Sequence, residues 1–149
     1  MKYPLFEEKQ NIYHLYHHFF SEVLKKYSLA QMDMDILLFL ANNPEYDTAA
    51  ALVKVRHLTK SHVSTSVEKL VKSGYLERFY LPGNKKTIHL RLLPGAEDAV
   101  EAGRCCQKRF FAQLLKGMDQ EEKEQLQSLL EKVRKNIEAA YQQIEGEED

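Results

Sequence analysis

The sequence predicts a mainly α-helical fold that carries one small β-hairpin, which makes the fold class α+β. Apolar residues recur at helical spacing over most of the 149 residues. A short segment near the middle alternates apolar and polar residues, as strands do. Pro and Gly number only four and six, and the hydrophobic share of 44% allows a real core. These observations predict a helical globular protein rather than a disordered chain.

The first part of the chain predicts two helices. Pro4 can open the first, over residues 5–27, because its fixed φ suits the first turn of a helix. The apolar band of this helix is wider than one face of a small domain needs, so part of it is predicted to meet a second subunit. The second helix covers residues 31–42 and ends at the breaker Asn42-Asn43-Pro44.

A helix-turn-helix is predicted next. The shorter helix covers residues 49–56, and Asp47 or Thr48 caps it. The longer helix covers residues 60–73, with Thr59 as its predicted N-cap. Apolar residues recur along it at i, i+4, i+7 and i+8, so it is amphipathic and presents a polar face.

A β-hairpin follows directly. Residues 75–81 and 87–92 are strand-like, and the second segment alternates strictly between apolar and polar side chains. Pro82-Gly83-Asn84 makes the predicted turn, and Lys85 and Lys86 follow at once. The hairpin tip is therefore predicted to carry positive charge. A helix-turn-helix followed by such a hairpin is a winged helix-turn-helix.

The last third of the chain predicts two long helices. Pro94 starts one that runs to about residue 116, and Gly117 fits its C-terminal cap. Asp119 and Glu122 open the final helix as a capping box. A narrow apolar seam then follows at alternating spacings of four and three residues, and we predict that it meets another helix in the same chain, in a second subunit, or in both. The seam consists of Leu126, Leu130, Val133, Ile137, Ala140 and Ile144.

Positive charge is concentrated in residues 48–93. This window holds nine Lys and Arg residues against two acidic ones, a local charge of +7 in a chain whose total is −1. The remaining residues therefore carry −8. A basic module in an acidic frame is the electrostatic footprint of a surface that binds a polyanion.

The polar face of the longer helix predicts recognition of double-stranded DNA. Short polar side chains let a helix backbone approach base edges in a major groove, and basic side chains reach phosphates. The predicted base contacts are Ser61, His62, Ser64 and Thr65. The predicted phosphate contacts are Lys60, Lys69, Lys72, Lys85 and Lys86, with Asn84 beside them on the hairpin.

The run LTKSHVSTSVEKLVKSGYLER, residues 58–78, resembles the recognition helix and first wing strand of the MarR (multiple antibiotic resistance regulator) family. Members of that family usually carry an Asp and Arg pair in the wing, where this chain has Asn84, Lys85 and Lys86. His57 stands where the family often has Gly in the turn of the helix-turn-helix. The resemblance covers nearly the whole chain.

The resemblance implies a single MarR-type domain over residues 1–149. Residues 31–93 would form its winged-helix DNA-binding lobe, and residues 1–28 and 95–145 its helical dimerisation lobe. It further implies a homodimeric, sequence-specific transcription regulator, a repressor, that binds a pseudo-palindromic operator and is released by a small-molecule effector. Such effectors are small aromatic or acidic compounds, and the resemblance points to Tyr13, Tyr16 and His17 as their candidate ligands. The alternative for each of these three is an ordinary core or interface residue.

Two further residue pairs admit a chemical role. His14 and His18 lie four residues apart on one helix face, but the sequence shows no third ligand, so we predict no metal and no cofactor. Cys105 and Cys106 are adjacent, a spacing poorly suited to a structural disulfide within one chain, and we expect reduced thiols. A redox switch at this pair is the alternative.

The sequence argues against other classes of protein. It holds no nucleophile elbow, phosphate-cradling glycine loop, HExxH motif or paired CxxC motif, so we predict that the protein is not an enzyme. Its N-terminus does not resemble a signal peptide and no apolar run could span a bilayer, so we expect a cytoplasmic protein without membrane association. The alternatives to a specific regulator are a winged-helix protein-interaction module and a non-specific architectural DNA-binding protein.

Overall fold

The computed structural model of the protein describes residues 4–56 and 58–147, so His57 in the predicted turn lies outside the described residues. The described chain is mostly helical with one two-stranded antiparallel sheet, which confirms the predicted fold class. Its elements are α1 (Pro4–Tyr27), α2 (Gln31–Asn42), α3 (Ala49–Arg56), α4 (Lys60–Lys72), β1 (Leu76–Leu81), β2 (Asn84–Leu92), α5 (Glu97–Leu114) and α6 (Gln120–Glu147).

The chain divides into two compact units. The first, Met1–Phe110, holds α1 to α4, the β-hairpin and most of α5. The second, Phe111–Asp149, holds the end of α5 and all of α6. None of the described helices is both long and apolar enough to cross a membrane.

The core of the first unit is built by apolar residues from α1, α2, α3, α4, α5 and the hairpin. Because α2 is surrounded by the other elements, most of its side chains are buried. Arg104 of α5 donates hydrogen bonds to the Ala41 carbonyl and to Asn42 Oδ1, both at 3.2 Å, so α5 satisfies the end of α2. Large, fully buried members of this core are Phe20, Met34, Ile36, Leu37, Leu38, Leu52, Leu70 and Leu76.

Helix ends follow local signals. Thr48 caps α3, because its Oγ1 accepts a hydrogen bond from the Ala51 amide at 3.1 Å. Asp119 and Glu122 form the predicted capping box: each carboxylate accepts a hydrogen bond from the other residue's amide, at 2.9 Å. Gly117 follows α5 with a φ of +87°, which an L side chain rarely adopts.

The sequence places the start of α5 and the hairpin turn inaccurately. Residues Pro94–Ala96 form a short 3-10 helix, and α5 begins only at Glu97, because the backbone tightens after proline before it becomes α-helical. The turn is Pro82-Gly83 alone, with Gly83 at a φ of +78° as the third position of a type II turn requires. Lys85 and Lys86 therefore lie within β2 rather than in the turn.

Candidate nucleic-acid interface

Helix α4 forms because its apolar residues line one face and pack into the core. Val63, Val67 and Leu70 are buried there, together with Ser66. Thr59 occupies the predicted N-cap position, but its hydroxyl bonds His62 Nδ1 at 3.1 Å instead of a backbone amide. Threonine thus orients a candidate DNA-contacting side chain at the helix entrance.

The opposite face of α4 is polar and open. Ser61, His62, Ser64 and Thr65, the four predicted base contacts, are all exposed. Thr65 Oγ1 donates a hydrogen bond to the Ser61 carbonyl at 3.0 Å, which leaves the oxygen free to accept a bond from a partner. The side chains on this stripe are short, so a bound polyanion can approach the helix backbone closely.

The basic residues of the interface differ in whether a carboxylate pairs with them. Within the described part of the chain, no carboxylate lies within ion-pair distance of Lys60, Lys85 or Lys86, and all three are exposed. Lys72 pairs with Glu68 at 3.1 Å, but both side chains are more than half exposed, so water weakens this pair. Lys69 differs, because its Nζ lies 2.6 Å from a carboxylate oxygen of the buried Asp33.

A concave cavity of about 540 Å³ lies between α3, α4 and the hairpin. Lys60 and Ser64 reach it from α4, and Arg78 and Lys86 reach it from the two strands. Arg78 was not among the DNA contacts predicted from the sequence. Arg78 belongs to the basic window of residues 48–93, but only the folded hairpin places it in the lining of the same cavity as Lys60 and Lys86. The apolar part of the lining consists of Ala49, Ala50, Val53, Val63, Val67 and Ile88.

Asn84 stabilises the hairpin next to its turn. Its Oδ1 accepts hydrogen bonds from the backbone amides of Lys86, at 3.0 Å, and Thr87, at 3.2 Å. These bonds stabilise β2 where the strand register shifts opposite the segment between Phe79 and Leu81. Lys85 and Lys86 lie in this part of β2, and both side chains are exposed.

The base of the hairpin is attached to the segment before α3. His89 Nδ1 lies 2.9 Å from Asp47 Oδ1, and the Leu90 amide donates to the Asp47 carbonyl at 2.6 Å. Thr48 and His89 form an isolated antiparallel bridge. Sequence reasoning missed this attachment because Asp47 and His89 are 42 residues apart. It positions β2 relative to the helix-turn-helix.

The structure does not bring the three candidate effector ligands together. The Tyr16 ring packs against Phe20 and Phe110, with centroid separations of 4.5 and 5.1 Å. It lines a cleft of about 90 Å³, much smaller than ordinary ligand pockets. Tyr13 is exposed and contacts His17, with ring centroids 4.7 Å apart, and neither lines that cleft.

Cys105 and Cys106 lie in different environments. Both thiols are free, with Cys105 exposed and Cys106 buried. Burial raises the pKa of the Cys106 thiol, although Arg109 opposes this effect, so that thiol is a poor nucleophile. Within residues 4–56 and 58–147, no group of three or more His, Cys, Asp or Glu side chains could hold a metal ion.

The sequence and the fold of the chain are similar to those of known proteins. Residues 27–79 match the sequence model of the MarR family. A MarR family transcriptional regulator of Listeria monocytogenes, solved with a 26mer DNA, has 23% identity and a TM-score of 0.82 over 92% of this chain and 90% of its own. A MarR protein of Peptoclostridium difficile has 19% identity and a TM-score of 0.82, covering 97% and 94%. The reduced form of MarR from E. coli has 20% identity and a TM-score of 0.69, covering 89% and 98%.

No curated protein sequence matches the chain significantly. The helix-turn-helix and its hairpin define a winged helix-turn-helix protein. The chain is similar to the MarR family in two ways: residues 27–79 match the family's sequence model, and the structures described above share its fold.

Proposed function

We propose that the protein is a sequence-specific DNA-binding transcription regulator. The observation that carries this proposal is the arrangement of Lys60, Arg78 and Lys86 around one concave surface, next to the exposed polar stripe of α4. Cations without carboxylate partners suit phosphates, and a neighbouring stripe of short polar side chains suits base edges. The DNA-bound relative from Listeria monocytogenes, which shares the fold, supports it.

The helix and the hairpin divide the contacts in this proposal. Ser61, His62, Ser64 and Thr65 of α4 read base edges in the major groove, since all four are exposed on the first turns of the helix. Lys60, Lys72, Lys85 and Lys86 bind phosphates, with Asn84 holding the hairpin that carries the last two. Arg78 joins the phosphate contacts, because it lines the same concave surface as Lys60.

We further propose that the regulator acts as a homodimer and represses transcription. The apolar seam of α6 leaves Leu130, Val133, Ile137 and Ile144 between 41% and 55% exposed. Such a row of exposed apolar side chains at heptad spacing favours a second copy of the same helix. A two-fold dimer would present two α4 helices about 34 Å apart. This separation matches two half-sites on one face of a DNA duplex with a pseudo-palindromic sequence.

The first test is fluorescence anisotropy of the purified protein on a duplex from its own upstream region. The duplex is titrated with unrelated competitor DNA at two salt concentrations. Tight binding that survives the competitor is the expected result. Binding that the competitor DNA abolishes would favour an architectural DNA-binding protein. An absence of binding at both salt concentrations would favour a protein-interaction module.

Lys85→Ala and Thr65→Ala are expected to affect DNA binding differently. Loss of one phosphate contact should weaken binding to all duplexes alike and lower the slope of log K against log salt by about one unit. Loss of the Thr65 hydroxyl should change the preference between duplexes that differ at one base pair, by about 1–3 kcal/mol. Both quantities come from the same anisotropy titrations. If the two variants behave alike, the proposed division between helix and hairpin is wrong.

An effector is proposed to bind the 540 Å³ cavity rather than the small cleft at Tyr16. The larger cavity has the volume of an ordinary ligand pocket and combines an apolar lining with the cations Lys60, Arg78 and Lys86. These properties suit a small aromatic acid. The same cations are proposed to bind DNA, so an occupant would compete with phosphates and release the operator. For Tyr13, Tyr16 and His17, effector binding stays a prediction.

Benzoate is a suitable probe of this cavity. We expect benzoate to raise the apparent Kd for operator DNA, because its carboxylate occupies cations that DNA needs. The ratio of Kd with and without benzoate should fall towards one in Arg78→Met, which removes a cation of the cavity. Lys85→Met is the control, since Lys85 does not line the cavity. An equal response of the wild type and Arg78→Met would exclude the cavity as the effector site.

A further inference from the structure

Asp33 and Lys69 connect α2 directly to α4. The Asp33 side chain is only 2% exposed, although carboxylates rarely lie buried in proteins without a partner. Its Oδ2 accepts a hydrogen bond from the Ala30 amide at 2.8 Å and another from Lys69 Nζ at 2.6 Å. One oxygen atom thus holds both the N-terminal turn of α2 and the C-terminal half of α4.

Breaking the bond between Lys69 and Asp33 costs free energy. A buried carboxylate that loses its cation keeps the desolvation penalty without the compensating attraction. If Lys69 turned towards a DNA phosphate, Asp33 would retain only the Ala30 amide on the same oxygen. Lys72 offers the contrast, because its partner Glu68 is 57% exposed and water replaces the lost contact. The two lysines of one helix therefore differ in their availability to DNA.

The bond between Lys69 and Asp33 restricts the orientation of α4 relative to α2, because of where Lys69 lies on α4. Apolar contacts between helices are non-directional, so Val63, Val67 and Leu70 alone allow α4 to rotate slightly over α2. A single short bond at the margin of the apolar face restricts this rotation. Thr65 precedes Lys69 by one helical turn, so a rotation of α4 would displace it and Ser61 from the base edges they are proposed to read.

We propose that Lys69 is a positioning residue, which through Asp33 sets the orientation of α4 on α2, and that it does not bind a DNA phosphate. The inference rests on the proposed DNA-binding function of α4. The sequence alone predicts that Lys69 contacts a phosphate, because it is a lysine on the polar side of a recognition helix. The proposal replaces that role with a structural one.

The test compares Lys69→Met, Asp33→Asn and the double variant with Lys72→Met. The duplex is one that the wild-type protein selects from a random library, and binding is measured with and without competitor over a range of salt. Lys69→Met and Asp33→Asn should each lower the ratio of specific to competitor binding by about tenfold or more, with an unchanged salt slope. The double variant should be no worse than either single one.

Lys72→Met should behave in the opposite way. It makes the same chemical change one turn along the same helix, and we expect it to lower the salt slope by about one unit while it preserves the specificity ratio. Lys69→Arg should keep the wild-type ratio, since a guanidinium can also bond Asp33. A salt slope that falls by one unit in Lys69→Met, together with normal binding by Asp33→Asn, would overturn the proposal.

A measurement without DNA separates this proposal from the proposed function. In 1H–15N spectra of the free protein, Lys69→Met and Asp33→Asn should shift the amide signals of Ser61 to Thr65 in the same direction. Lys72→Met should shift only signals close to itself. Unchanged Ser61 to Thr65 signals in both variants would refute the positioning role, whether or not the wild type binds DNA. A wild type that selects no duplex would refute only the proposed function.

Discussion

Ile137→Glu is expected to convert the protein to a monomer and to weaken operator binding by about 100-fold or more. Ile137 is half exposed on α6 and lies in the apolar seam that we propose to meet a second copy of the chain. A carboxylate at that position would be buried without a partner in the dimer, which costs several kcal/mol. A monomer loses the simultaneous binding of two half-sites. Sedimentation equilibrium measures the first effect, and anisotropy on the full operator measures the second.

Ala139→Glu is the matched control for this prediction. It introduces the same side chain into the same helix, two residues away and outside the seam, at an exposed position. This variant should remain dimeric and bind the operator as the wild type does. A dimeric Ile137→Glu protein would show that the α6 seam is not the subunit interface. A monomer with undiminished operator affinity would show that specific binding does not need two half-sites.

Gly103→Ala is expected to destabilise the first unit by about 1–3 kcal/mol. Gly103 is buried on α5, and a Cβ there would lie 2.6 Å from the Met34 sulfur and 3.1 Å from a Leu38 methyl carbon. Met34 and Leu38 are themselves almost fully buried, so neither can move away freely. Urea unfolding followed by circular dichroism measures the change in the free energy of unfolding.

Gly146→Ala serves as the control for this substitution. Gly146 lies near the end of α6, and a Cβ there would meet no described atom within 4 Å. Because alanine favours helix more than glycine does, this variant should be as stable as the wild type or more stable by up to about 0.5 kcal/mol. If both substitutions were neutral, α5 and α2 would be packed less closely at Gly103 than the structure indicates.

The sequence predicts which residues of the candidate interface are exposed. It does not predict which of the cations are paired with a carboxylate. The period of Val63, Val67 and Leu70 already places Ser61 and Thr65 on the other face of α4, and both are exposed. Lys69 and Lys72 look equivalent in sequence. Only the buried Asp33, 36 residues earlier in the chain, distinguishes them. Ion pairs between distant residues leave no periodic signal.

Local interactions explain why the sequence by itself determined the helices and several of their ends. The Thr48 cap, the Asp119–Glu122 capping box and the αL conformation of Gly117 each involve residues within a few positions of one another. Their energetics depend on backbone geometry and side-chain type, which the sequence specifies directly. Hydrophobic period likewise decides which face of a helix is buried.

Tertiary structure decided the features that depend on residues far apart in the chain. Pairing of β1 with β2 places Arg78 and Lys86 in the lining of the same concave surface. The close approach of α5 to α2 requires Gly103, and the bond from Asp47 to His89 attaches the hairpin to the helix-turn-helix. Each of these contacts forms only once the apolar faces have packed, because packing of the core sets the distances at which polar side chains meet.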